Sequence, residues 1–273
     1  MTETKPKRTT KNPNDSVIIL GSGSATPTVL NSPSGQIVTL SDKSFLVDCG
    51  EGVQITMSRL AVKTSRLYAV FISHLHGDHC FGLLGLISSL ALKKRTQPLH
   101  IYAHADLEKL LRPMLDYHCK DVMKFDLIFH HINPRKCEVI FEDRTLSVET
   151  VPLKHRVPTC GFLFIEKRRN QEPVKRYAYC SDTKYNVKMV EQLQGVETLY
   201  HESTYIEQYA VRASIAGHST AKQAASIAKQ AEAHKLIIGH FSARVKDHHE
   251  FLVEAKEVFE NTVLAEERTT IEI

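Results

Sequence analysis

The 273-residue chain predicts a layered α/β protein, and three patterns support this. Apolar runs of β length dominate the first half, strands and helices alternate in the second, and ligand-type side chains recur where apolar runs end.

The β-runs come first: VIIL 17–20, QIVTL 36–40, SFLVD 44–48 and YAVFIS 68–73. A helical pattern follows at 81–92, then LHIYA 99–103 and a helix from Asp106, which offers a capping side chain. Further strands are expected near 126–131, 137–141, 145–151, 160–166 and 175–180. Beyond them lie a helix near 186–194, ETLYHE 197–202, a helix from Ser219 or Thr220 to about 232, and KLIIGH 235–240. A helix near 247–259 and two short strands end the pattern. The helices are long enough to cover two sheets from outside.

Residues 1–15, MTETKPKRTTKNPND, are polar and basic and read as a flexible tail. No linker, low-complexity stretch or repeat follows, so residues 16–273 are expected to form one domain. The balance of 35 basic and 31 acidic side chains tolerates an anionic partner without announcing one. No signal-like stretch opens the chain, and no apolar run reaches the roughly 18 residues of a membrane span, so a cytoplasmic protein is expected. Six scattered cysteines without a CxxC read as free thiols of a reducing compartment. Fifteen histidines are the anomaly.

Three of them fall in FISHLHGDHCFG, residues 71–82. His74 and His76 are two apart and project to the same side of an extended backbone. Gly77 allows a turn, after which Asp78 and His79 can face a second ion. Imidazole and carboxylate are ligands that zinc takes at about 2.0–2.2 Å. Four ligands cannot close two metal sites, so others must come from other strand ends. His155, Asp182 and His240 follow apolar runs and complete a set of seven. His74, His76 and His155 would hold one ion, Asp78, His79 and His240 the other, with Asp182 bridging. Mixed His/Asp sites accept zinc or manganese, and ligand softness favours two zinc ions per chain. His100, His104, His118, His130, His131, His234, His248 and His249 lack such a pattern and are expected at the surface or satisfied in the core.

These words together resemble the metallo-β-lactamase superfamily, and within it ribonuclease Z, the endonuclease that trims the 3′ end of precursor tRNA. LGSGSATPT 20–28, VDCGEGVQ 47–54, SHLHGDHCFGLLGL 73–86, PLKH 152–155, YCSDT 179–183, LYHEST 199–204, GHSTAKQAA 217–225 and GHFSAR 239–244 match that family's motifs in order. The resemblance implies a four-layer αββα sandwich with metals at one edge. It also implies roles beyond the ligands. Asp78 would orient or deprotonate the attacking water, and His218 would protonate the leaving oxygen or stabilise the phosphate. Glu202 would hold the His218 imidazole, and Arg244 would neutralise phosphate charge.

Two departures concern the substrate. The family's bacterial members carry a long basic arm between the third and fourth motifs, which grips tRNA; here 26 residues separate His155 from Asp182. They suit two strands and a charged turn holding Lys167, Arg168 and Arg169. The loop after the first strand, PTVLNSP 27–33, has Val29 and Leu30 where the family places basic residues. Val245 also follows HFSAR where the family has tyrosine.

The leading expectation is a zinc-dependent endoribonuclease acting on precursor tRNA. The alternatives are an arm-less hydrolase of another phosphodiester, a small molecule or other RNA, and a non-catalytic binding protein on the same fold. The family forms dimers, so the resemblance also implies a homodimer.

Overall fold

The computed structural model describes residues 15–29, 31–167 and 175–273. The tail assigned to residues 1–15, apart from Asp15, lies outside the described residues, as do Leu30, Arg168 and Arg169.

Strands form on the apolar runs. They are β1 (Ser16–Gly21), β2 (Gly35–Leu40), β3 (Lys43–Cys49), β4 (Leu67–Phe71), β5 (Leu99–Ala103), β6 (Leu127–His131) and β7 (Val139–Glu142). β8 (Leu146–Pro152), β9 (Cys160–Glu166), β10 (Arg176–Cys180), β11 (Thr198–Glu202), β12 (Lys235–Gly239), β13 (Thr262–Leu264) and β14 (Thr270–Glu272) follow. They make two seven-stranded sheets, ordered β14-β1-β2-β3-β4-β5-β6 and β13-β12-β11-β10-β9-β8-β7. In each sheet antiparallel pairs give way to parallel ones, β3 to β6 in the first and β10 to β13 in the second. Parallel strands here are covered on both faces, which explains runs such as KLIIG that are apolar almost throughout.

The helices are α1 (Val53–Arg59), α2 (Gly77–Cys80), α3 (Leu83–Leu92), α4 (Asp106–His118), α5 (Val190–Leu193), α6 (Ala210–Ala216), α7 (Ala221–Gln230) and α8 (His249–Lys256). Leu83, Leu86, Leu107 and Leu111 of α3 and α4 bury against Leu46 and Val70 of the first sheet. Ala224, Ile227 and Phe251 of α7 and α8 cover Leu199 and Ile238 of the second. Between the sheets lies an aromatic core, in which Phe71 meets Phe162 at 5.3 Å between ring centroids and Phe45 meets Phe164 at 5.6 Å. The fold is the expected αββα sandwich.

Three local features differ from expectation. Asp106 does not cap α4 with its side chain; it is the first helical residue, bonds Lys109, and gives its N–H to His104 Nδ1 at 3.3 Å. The segment near 186–194 is a 3-10 turn followed by one turn of helix, not one long helix. α1 and α6 carry no sequence pattern strong enough to announce them; both are seven residues long, and α6 buries only Ala213.

β10, β11 and β12 run parallel, so their C-terminal ends share one edge of the sandwich. Asp182, Glu202 and His240 stand there, and the loops after β4 and β8 bring His74–His79 and His155 to the same place.

Candidate metal centre

All seven sequence-predicted ligands converge. His74 Nε2 lies 3.0 Å from His76 Nδ1, which lies 3.3 Å from His155 Nε2. Asp182 Oδ2 faces this trio, 3.5 Å from His74 Nε2 and 3.7 Å from His155 Nε2. The other trio is as tight: His79 Nε2 to His240 Nε2 is 3.3 Å, and Asp78 Oδ2 is 3.5 and 3.3 Å from those two nitrogens. Asp182 Oδ1 faces this second trio at 3.4 and 3.3 Å. A tetrahedral shell with ligands at about 2.0–2.1 Å places its donor atoms about 3.3–3.4 Å apart. Asp182 Oδ1 is also buried without a hydrogen-bond partner among the described residues, which is costly unless a cation satisfies it. Each trio, with the Asp182 oxygen that faces it, would hold a divalent ion.

The surrounding hydrogen bonds choose which ring nitrogen is free. His155 Nδ1–H donates to the Gly217 carbonyl at 2.7 Å, and His79 Nδ1–H to Asp48 Oδ2 at 2.7 Å. Ser73 Oγ gives its proton to Asp48 and so accepts from His74 Nδ1 at 3.0 Å. Thr204 Oγ1 donates to Glu202 and so accepts from His240 Nδ1 at 2.9 Å. In each case the Nε2 lone pair is left for a metal, the arrangement that orients ligand histidines.

Asp48 anchors this outer layer, accepting also from the Ser73 N–H at 2.8 Å and the Tyr179 hydroxyl at 2.7 Å. Asp48 and His240 both hold left-handed backbone, at φ 56° and 64°. Such geometry costs about 1–2 kcal/mol for a residue with a Cβ and persists only where the surroundings fix it.

Beside the second trio, Glu202 is fully buried and receives five donors. These are the N–H groups of Thr183, Thr204 and Ser219, the Thr204 hydroxyl, and His218 Nδ1 at 2.9 Å. Burial works against a charged His218, but the Glu202 carboxylate outweighs it and raises the imidazole to about 9. Asp182 and His240 also lie near His218, but its Nδ1 is taken by Glu202, so it stands outside the ligand set.

Asp78 accepts the Ala25 N–H at 2.7 Å. Burial raises its carboxyl, yet His79 and His240 hold it well below the usual carboxylate range. Burial lowers His74 to about 4, while the carboxylates of Asp182, Asp48 and Asp78 override burial and keep His79 well above the ordinary histidine value.

Arg244 is exposed and lines the cleft above the ligands. Most other histidines find local partners: His100 with His130 at 2.9 Å, His131 with Glu108, His234 with Glu197. His201 is buried on the helix-covered face of β11, and its Nε2 has no hydrogen-bond partner among the described residues. Sequence reasoning missed Asp48, Thr204 and Gly217 as supports, though all three stand in quoted motifs. Ala25, which also borders the cleft, stands in LGSGSATPT, whereas Arg156 and Arg212 had no signal beyond residue type.

Fold and site together define a metal-dependent hydrolase of the metallo-β-lactamase fold. Residues 16–256 match the family model described as Anti-Pycsar protein Apyc1. A ribonuclease Z of Phocaeicola vulgatus is 43% identical, with 94% of this chain and 97% of that protein covered. One of Azobacteroides pseudotrichonymphae is 45% identical, with 94% and 98% covered. Among solved structures, the short form of human tRNase Z superposes with a TM-score of 0.81 at 26% identity, covering 94% of this chain and 99% of that one. The metallo-beta-lactamase fold protein YhfI of Bacillus subtilis gives 0.76 at 23% identity, covering 96% and 100%. The chain belongs to the ribonuclease Z family. Its alignment to the Phocaeicola protein runs over 300 positions, more than the 273 residues of the chain, so that relative carries insertions without a counterpart here.

Proposed function

We propose that this protein is a two-zinc phosphodiesterase that removes the 3′ trailer of precursor tRNA in the cytoplasm. The observation that carries this is the seven-ligand cluster with the Glu202–His218 pair beside it, in a chain whose near-full-length relatives are ribonucleases Z. Zinc suits the imidazole-rich ligand set. When bound, the ions would neutralise phosphate charge and acidify water.

The chain's own residues do the rest. Asp78, oriented by the Ala25 N–H, orients the attacking water or takes its proton. His218, kept charged by Glu202, gives a proton to the departing 3′ oxygen of the mature tRNA, and the trailer retains the 5′-phosphate. Arg244, at the cleft mouth, balances charge on the phosphate.

A second reading, hydrolysis of a smaller phosphodiester, is favoured by the 26-residue span between His155 and Asp182 and by the loop at Val29, which bears no positive charge. The purified zinc-loaded protein should be offered a 3′-extended precursor tRNA beside bis(p-nitrophenyl) phosphate. Cleavage of both, with the tRNA cut at the trailer junction, is expected; turnover of the diester alone supports the second reading.

A further inference from the structure

The metal cleft continues past His218 into a second depression, and the two share Arg156, Tyr205, Arg212 and Ala216. Its far wall is built by Tyr209, Val211 and Ile215, from α6 and the turn before it. Val211 and Ile215 are four residues apart, on one helix face, and are 77% and 76% exposed. Apolar side chains held in water beside a catalytic cleft offer a seat for a flat apolar group.

The charge of the same region is one-sided. Arg156 and Arg212 are exposed, and neither forms an ion pair among the described residues. Arg156 lies against the His155–Gly217 contact: a Cβ built on Gly217 would come 3.4 Å from its Cγ. It therefore stands at the junction between ligands and depression. The carboxylates lining the two spaces, among the described residues, are Asp78 and Asp182, both committed to the metal centre. Ser24, Ala25 and Thr26, from the loop after β1 that also lines the metal cleft, contribute no charge. Cations absent from that loop are thus present on the α6 side, next to an apolar wall.

We infer that this depression binds the nucleoside phosphate next to the scissile bond. Arg156 and Arg212 hold its phosphate, and Tyr209, Val211 and Ile215 receive its base. This rests on the phosphodiesterase assignment and adds the part of the substrate that the protein reads. The same chemistry could come from a nucleotide within RNA or from a free one, and two arms separate them.

In the first arm, calorimetry on the zinc-loaded protein compares a nucleoside 5′-monophosphate with inorganic phosphate. The nucleotide should bind at least about 10-fold tighter; Arg212→Ala should weaken nucleotide binding about 5-fold or more, and Ile215→Asp should remove about 5-fold or more of the preference. Equal affinities, a preference that Ile215→Asp retains, or nucleotide affinity unchanged in Arg212→Ala would overturn the subsite. In the second arm, Arg156→Ala/Arg212→Ala should lower kcat/KM for a short 3′-extended RNA by about 10-fold or more relative to bis(p-nitrophenyl) phosphate, chiefly through KM. An unchanged ratio would overturn the subsite for RNA. Should the wild type cut the diester but not RNA, the tRNA assignment fails, and the first arm still decides the subsite. Circular dichroism of each variant checks that these surface changes leave the fold intact.

Discussion

On the floor of the cleft, His74, His79, Asp182, Glu202 and His240 are at most 2% exposed, and most nitrogens turned from the metals are hydrogen-bonded. On its rim, Arg156, Arg212, Arg244, Val211 and Ile215 stand in water, and the arginines have no ion-pair partners among the described residues. The floor is set before any substrate arrives, because folding itself fixes the ring orientations. The rim is set by nothing except its backbone. On the proposed function, reaction type and substrate choice therefore reside in different parts of the molecule, under different constraints.

That contrast is open to attack. Asp182→Ala removes the carboxylate facing both trios, so metal analysis should find the protein depleted and diester hydrolysis should fall by about 10³-fold or more. Retained turnover would break the two-ion floor. His218→Ala should cost about 10²–10⁴-fold in kcat with metal content unchanged, since the residue lies outside the ligand set. Loss of metal as well would place it among the ligands.

Asp48→Asn tests the outer layer of the floor. It weakens the acceptor for Ser73, His79 and Tyr179, so zinc affinity, read by chelator competition, should fall about 10–100-fold. Gly217→Ala is expected to act more locally. Gly217 sits at φ 89°, and an added Cβ would meet His155 Nδ1 at 2.8 Å. Thermal unfolding should show a loss of about 1–2 kcal/mol, with weaker metal retention. Arg244→Ala, on the rim, should have the smallest effect, raising KM for the diester without loss of zinc or stability.

The two regions also differ in how readable they were. The floor could be read because its ligands sit in short motifs at the ends of apolar strands, and strand periodicity places those ends together. His155, Asp182 and His240 each carried a local signal, and Glu202 and His218 stood in words that match a family. Apart from Arg244, which stands in GHFSAR, the rim offered neither kind of signal. α6 buries only Ala213, so it has no apolar stripe to mark it as a helix, and its exposed Val211 and Ile215 look like a strand fragment or loop in sequence. Arg156 and Arg212 are 56 positions apart and come together only when the β8–β9 loop meets α6. The cap expected from Asp106 failed because Ala105 takes the N-cap position; Asp106 is already the first helical residue, with its carboxylate turned to Lys109.

The most direct test is a count of metal ions by elemental analysis and anomalous diffraction on the protein purified with zinc. The geometry predicts two ions per chain, one facing His74, His76 and His155 and the other facing Asp78, His79 and His240, with Asp182 between them. A folded, active protein holding one ion or none would contradict it.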